Sequence, residues 1–237
     1  MRPGLRSPIL RRTEMEFVDS VVELGPKLAT FDCDGTLWSG DAGEGFFAWE
    51  LEQKVVPEPT ARWARARFAD YKAGLVEEDT MCGELVTLHK GLKESHIQAL
   101  TDAWFDDNLA QNIFPVMQET IQRLMTSGCE VWAVSASNQW VIRSAMRHFG
   151  VPKERILSSE VVIKNGIITD RLVRVPSGEG KPRAIREVAG RPPDAAFGNS
   201  RFDVEMLKMA ATPFAINPNP DLETVARQMG WTLYFPH

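Results

Sequence analysis

Leu28-Ala29-Thr30-Phe31-Asp32-Cys33-Asp34-Gly35-Thr36-Leu37-Trp38 is the stretch on which the reading of this chain turns. An apolar run stops at two carboxylates, Asp32 and Asp34, with Gly35 and Thr36 directly behind them. A buried parallel strand delivers acids in this way to the carboxyl edge of a sheet, where open α/β folds place their ligands. Residues i and i+2 of an extended chain project to the same side, so both carboxylates can face one substrate. Gly35 lets the chain turn sharply, and main-chain N–H groups beside such a turn can hold an anion. Two acids this close repel unless a cation or a shared proton lies between them, and a divalent metal is the natural mediator. Cys33, between them, points the other way and reads as a small core hydrophobe.

Outward from this stretch, the chain alternates helices and strands. Upstream, Phe17, Val21 and Leu24 at helical spacing predict a helix over 16–24 that Gly25-Pro26 ends. Downstream, Pro115 opens a helix with Met117, Ile121 and Leu124 on one face, and Gly128 closes it. Val131-Trp132-Ala133-Val134 is a strand ending in Ser135-Ala136-Ser137-Asn138, followed by a helix with Val141, Ala145 and Phe149. Asn165-Gly166 between two apolar runs predicts a β-hairpin attached to the sheet. Lys181 follows a Gly178-Glu179-Gly180 loop and opens a short helix with Ile185, Val188 and Ala189 inward. Ala195-Ala196-Phe197 is a further strand that runs into Gly198-Asn199-Ser200-Arg201-Phe202-Asp203. Last strands are expected at 213–216 and 232–235, with a helix after Asp221 between them. The rhythm predicts an α/β fold with a doubly wound parallel sheet.

Residues 42–114 break that rhythm: helical runs punctuated at Pro57, Pro59, Gly83 and Gly91, with no buried strand. They are expected to form an inserted α-helical subdomain, with 15–41 and 115–237 as the core and 1–14 as a basic tail carrying Arg2, Arg6, Arg11 and Arg12. Met15 is an alternative start. Arg62, Arg65 and Arg67 read as the solvated side of an insert helix whose Ala64, Phe68 and Tyr71 face inward. His89 and His96 belong to no ligand motif and read as packing or surface residues.

The bulk numbers describe an ordinary soluble protein of 237 residues, 43% hydrophobic and 25% charged. A net charge of -5 argues against a nucleic-acid partner. No apolar run approaches the roughly 20 residues of a membrane span, and the basic start lacks the apolar stretch of a secretory signal. Cys33, Cys82 and Cys129 form neither a disulfide framework nor a thiolate metal site, which fits a reducing cytoplasm.

The Asp32-Cys33-Asp34-Gly35-Thr36 run resembles the first signature of the haloacid dehalogenase superfamily of phosphotransfer enzymes. Ser135 with Ala136, then Lys181, then the Asn199 to Asp203 segment, match its other three motifs in order. The resemblance implies a Rossmann-like core with a helical cap over the site, selecting the substrate. It also implies magnesium, held by Asp32, Asp34 through its main-chain carbonyl, Asn199 and Asp203. Asn199 departs from the family pattern, which has an acid there; its amide oxygen can still ligate a hard cation, without the charge.

The groups so gathered suit phosphoryl transfer. Asp32 can attack phosphorus to form an aspartyl-phosphate, and Asp34 can protonate the leaving oxygen and later take a proton from water. Ser135, the main chain at Ala136, and Lys181 can hold the phosphoryl oxygens, because such catalysis is mostly positioning and electrostatics. An acid at position 34 goes with phosphatases and phosphomutases of the superfamily and against carbon–halogen cleavage.

The phosphoserine phosphatase-like branch is the nearest likeness. Its substrate-binding acid, nine residues past the nucleophile, corresponds to Asp41, with Glu44 near. Its cap arginine would fall within 84–92, where this chain has none, which argues against phosphoserine. The expected activity is magnesium-dependent hydrolysis of a small phosphomonoester, a phosphorylated metabolite. A phosphotransferase or phosphomutase on the same site, or a non-catalytic phosphate-binding protein, are the alternatives.

Overall fold

A computed structural model describes residues 12–236. The basic segment through Arg11 lies outside them; Arg12 to Glu14, assigned to the tail from sequence, already belong to α1 (Arg12–Glu23). Phe17, Val18 and Val21 form the buried stripe of this helix, while Leu24, expected inward, is exposed beyond its end.

The core strands are β1 (Leu28–Phe31), β2 (Glu130–Asn138), β3 (Ile156–Lys164), β4 (Ile167–Arg174), β5 (Ala195–Gly198), β6 (Thr212–Ile216) and β7 (Thr232–Tyr234). They build one sheet in the order β4-β3-β2-β1-β5-β6-β7, parallel except for β4. All four residues of β1 are buried, as the middle strand of a doubly covered sheet must be. From β1 the chain builds outward on one side, then crosses back to begin β5 on the other. That reversal opens a crevice at the carboxyl ends of β1, β2 and β5.

Helices cover both faces. On one face α1, α6 (Pro115–Thr126) and α7 (Gln139–Met146) share a core with the sheet. On the other, α8 (Gly180–Ala189), α9 (Val204–Met209) and α10 (Pro220–Met229) pack on Trp132, Val134, Leu157 and Ala196. Phe31, Phe197 and Phe214 stack across β1, β5 and β6 at centroid distances of 4.1 and 4.7 Å, stiffening the sheet just below the Asp32 edge. Val188, expected inward on α8, is exposed, because the helix packs instead through Ala184 and Ile185.

Between β1 and β2 run α2 (Ala42–Glu52), α3 (Glu58–Lys72), α4 (Glu78–Thr87) and α5 (Glu94–Asn108). Pro57 and Pro59 sit at the start of α3, where a missing N–H costs nothing. Gly83 does not break the helical run: it lies inside α4, where an added Cβ would come within 3.1 Å of Leu172 on β4. The insert is fastened to the hairpin by main-chain bonds from Gly91 to Ile168, from Ile168 to Leu92, and from Glu94 to Gly166. The hairpin turns at Asn165 and Gly166, both at positive φ, as a two-residue turn demands. It is less an appendage than the far end of β3, whose first half pairs with β2 in the sheet. Among the described residues no helix is long and apolar enough to cross a membrane.

Candidate active site

The crevice holds a cavity of about 280 Å³ between the sheet edge and helices α2, α3 and α4. Asp32 and Asp34 lie in its floor, with Ser135, Ala136, Lys181 and Asn199 around them. Sequence-predicted residues from the ends of three strands, more than 160 positions apart along the chain, thus meet in one place. Asp41 and Glu44 line the same cavity from the start of α2. Asp203 is the exception and does not line it.

Lys181 organises the floor. Its buried ammonium donates to Asp32 Oδ1 (2.6 Å), Asp203 Oδ1 (2.5 Å) and the carbonyl of Val134 (2.9 Å), so its three protons have three acceptors. Burial alone would push a lysine toward neutrality, but the two carboxylates overcome this and raise its pKa. Asp32 Oδ2 accepts from Thr36 Oγ1 at 2.8 Å. Its carboxyl is raised to about 6, by burial first and then by the charge of Asp203, against the pull of Lys181. At neutral pH Asp32 is therefore mostly ionised.

Asp34 stands in a different environment. Oδ1 accepts from Trp38 Nε1 (3.0 Å) and the Ala42 amide (2.5 Å), and Oδ2 accepts from Ser137 Oγ (2.7 Å). Burial, with the nearby Asp41, pushes its pKa up to about 8. Two carboxyls on one strand end are thus separated by environment, Asp32 the more acidic and Asp34 the less. Ser137, Trp38 and Thr36 were not singled out as site residues from sequence. Ser137 stands two residues past Ser135, and that spacing was the available signal, because strand residues at i and i+2 share a face.

Ser135 is buried, its hydroxyl accepting from the Ser137 amide at 3.1 Å. It is not the helix cap; Asn138 caps α7 by accepting from the amides of Trp140 and Val141. The β2–β3 ladder loses register between Val134 and Asn138, which frees the main chain around Ala136 to turn toward the cavity edge.

Asp203 is fully buried and its acceptors are occupied: Oδ1 by Lys181, Oδ2 by the amides of Asn199 and Ser200 and by the Ser200 hydroxyl. It ties the β5 loop to Lys181 and would touch a metal only through an intermediary. Among the described residues no three His, Cys, Asp or Glu side chains are placed to share a metal ion. Oxygens that could hold a hard cation are present beside the floor in the Asp32 carboxylate and the Asn199 carboxamide, both of which line the cavity. The Asn199 carboxamide has no hydrogen-bond partner among the described residues and lies where a Cβ on Gly35 would sit, 1.9 Å from Nδ2. Gly35, at φ +75°, thus makes the room for that ligand.

A haloacid dehalogenase-like hydrolase model matches residues 29–208. The chain belongs to that family. Phosphoserine phosphatase SerB1 of Mycobacterium tuberculosis is 30% identical over 150 residues, 61% of this chain and 48% of that protein, so the chain spans about half its length. A histidinol-phosphatase of Neisseria meningitidis is 22% identical over 216 residues, 86% of this chain and 96% of that one. The fold is shared with a Bordetella pertussis protein of unknown function (TM-score 0.74, 22% identity, 87% of this chain and 97% of that chain). It is shared too with a phospho-aspartyl intermediate analogue of phosphoserine phosphatase (TM-score 0.57, 18% identity, 88% and 92%).

Proposed function

We propose that this hydrolase cleaves a small phosphomonoester in a magnesium-dependent, two-step reaction through Asp32. The observation that carries the reading is the placing of two carboxyls in one small cavity, Asp32 clamped by Lys181 and Thr36 and Asp34 held by Trp38, Ala42 and Ser137, with burial raising the pKa of Asp34 further than that of Asp32. Relatives named for phosphoserine and histidinol phosphate support a phosphorylated metabolite as the substrate class.

In the first step an Asp32 oxygen forms a bond to phosphorus while the bond to the leaving oxygen breaks, and the Asp34 proton passes to that oxygen. In the second, water attacks the same phosphorus, its proton goes to Asp34, and the Asp32–phosphorus bond breaks to release inorganic phosphate. Ser135 and the amides beside Ala136 hold the equatorial oxygens, and Lys181 keeps Asp32 aimed and offsets the accumulating negative charge. Magnesium, when bound to Asp32, Asn199 and the Asp34 carbonyl, would supply the remaining positive charge that the phosphoryl group needs. Asp203 positions Lys181.

Two outcomes test this. Hydrolysis of p-nitrophenyl phosphate is lost when magnesium is chelated and returns on its addition; turnover indifferent to chelation would overturn the metal assignment. Asn199→Asp, which adds a charge to the ligand set, lowers the half-saturating magnesium concentration roughly tenfold.

The raised Asp34 pKa has its own signature. Protonated Asp34 is present below about pH 8 and lost above it, so kcat/KM for an alkyl phosphate falls as pH rises through that value. An aryl phosphate, whose leaving group needs less help, shows a shallower fall. Identical profiles for both would remove Asp34 from the acid role.

A further inference from the structure

The two halves of the cavity differ in charge. The sheet edge brings Lys181, whereas the helical half brings Asp41, Glu44, Glu50 and Glu78. Among the described residues Lys72 is the one cation lining that half, and it lies half-exposed with its ammonium already on Glu44 at 2.7 Å.

Glu50, in the third turn of α2, is 2% exposed and yet lines the cavity. Its Oε2 is held at 2.6 Å by Nε2 of His89, which is itself fully buried and stands edge-on to Trp140. His89 Nδ1 lies 3.3 Å from the carbonyl of Val86, so both ring nitrogens have partners and the ring is held in place. The carboxylate is thereby fixed, while its second oxygen, Oε1, has no donor among the described residues. Because Glu50 lines the cavity, that oxygen is open to a donor carried by a ligand. Glu78, opening α4 and partly buried, also lines the cavity with one oxygen engaged: Ser177 Oγ donates to Oε1 at 2.7 Å, and Oε2 has no donor among the described residues. Burial pushes its pKa up to about 7, with Asp32 and Asp203 adding to the rise, so a positive charge beside it would be welcome.

The apolar wall agrees. Phe47, Phe68 and Tyr71 line the helical half, and the Lys72 ammonium lies 5.2 Å from the Phe68 ring centroid and 5.9 Å from that of Tyr71. These ring faces already accept a cation. A carboxylate on the substrate would meet several acids here and no unpaired cation.

We propose that Glu50, anchored by His89, and Glu78 form a subsite for a positive charge: the substrate is a small phosphomonoester whose leaving alcohol carries an N–H-bearing ammonium and no carboxylate. The inference rests on the phosphomonoesterase reading above and names its substrate class. Neither residue belongs to the reacting groups; both act on specificity.

The test uses the full chain with magnesium and compares kcat/KM for O-phosphoethanolamine, glycerol 3-phosphate, O-phosphoserine and 3-phosphoglycerate. The cationic ester is preferred over the neutral one about tenfold or more, and the two carboxylate-bearing esters are poorer still. Glu78→Gln and Glu50→Gln each collapse the ratio of cationic to neutral ester, through KM, by about tenfold. Equal use of neutral and cationic esters, or ratios unmoved by both variants, overturns the proposal. Should Glu50→Gln fail to fold for loss of its His89 bond, Glu78→Gln carries the test alone. Wild-type turnover of p-nitrophenyl phosphate is the separate control for the phosphomonoesterase reading. If that turnover is absent, calorimetric binding of phosphoethanolamine against glycerol 3-phosphate decides the selectivity in the same direction.

Discussion

Asp32→Asn abolishes phosphomonoester turnover, by about 10⁴-fold or more, while the protein stays folded. The amide is nearly the same shape and keeps an oxygen for Thr36 or Lys181, but its nitrogen cannot attack phosphorus and its charge is gone. The effect on stability has the opposite sign. Burial raises the Asp32 pKa above its unfolded value, so the ionised form disfavours the fold at neutral pH, even with Lys181 beside it. The contribution of this carboxyl is fully present in acid and lost as pH rises through about 6; a neutral amide avoids that loss. Single-turnover kinetics with p-nitrophenyl phosphate and a thermal melt at pH 7.5 check both halves. Residual activity within tenfold of wild type would remove Asp32 as nucleophile, and a collapsed melting point would show the activity loss to be one of folding.

Lys181→Met destabilises the protein by about 3–5 kcal/mol and stops turnover, because it strips the only counter-ion among the described residues from two buried carboxylates, Asp32 and Asp203. The methionine fills the channel but cannot donate to either acid or to the Val134 carbonyl. Left facing the charge of Asp203 with no lysine beside it, the Asp32 carboxyl is pushed further up in pKa. Its protonated form is held by the fold at low pH and lost as pH rises, so the variant regains stability toward pH 5. Urea denaturation at pH 5 and pH 8 separates this from a packing defect, which would cost the same at both. Adding Asp203→Asn recovers part of the stability but none of the activity, since Asp32 then sits without its clamp.

On the proposed mechanism the two variants divide the roles of the floor: Asp32 for the bond to phosphorus, Lys181 for the field in which that carboxylate is both ionised and aimed. Asp203 belongs to the second role. Sequence reading grouped it with Asn199 as a metal ligand, because both fall in one short segment after β5. The helix that begins at Arg201 turns Asp203 back beneath the loop, where the amides of Asn199 and Ser200 fill one of its oxygens and Lys181 the other.

Much of the architecture was legible in local pattern. Apolar runs ending in Asp32, Ser135 and Asn199 marked strands whose carboxyl ends converge, since parallel strands separated by helices leave little choice of topology. Asn165-Gly166 announced its hairpin because only residues tolerant of positive φ make that turn. Gly83 misled, since a glycine inside a helix and a glycine ending one look alike until the neighbour that needs the space, here Leu172, is known.

By itself, then, the sequence determined which residues gather at the sheet edge: Asp32, Asp34, Ser135 and Asn199 at strand ends and Lys181 at a helix start, each at an element end that alternation and turn chemistry locate. Only the tertiary structure decided what faces them. Nothing in the local sequence singles out Glu50 or Glu78, and His89 reads as a packing or surface residue. Whether such a side chain reaches solvent, core or cavity depends on how α2 and α4 are rotated against the sheet. That rotation is set by contacts such as Glu50 with His89, 39 residues apart, and Glu78 with Ser177, 99 apart, which no local periodicity encodes.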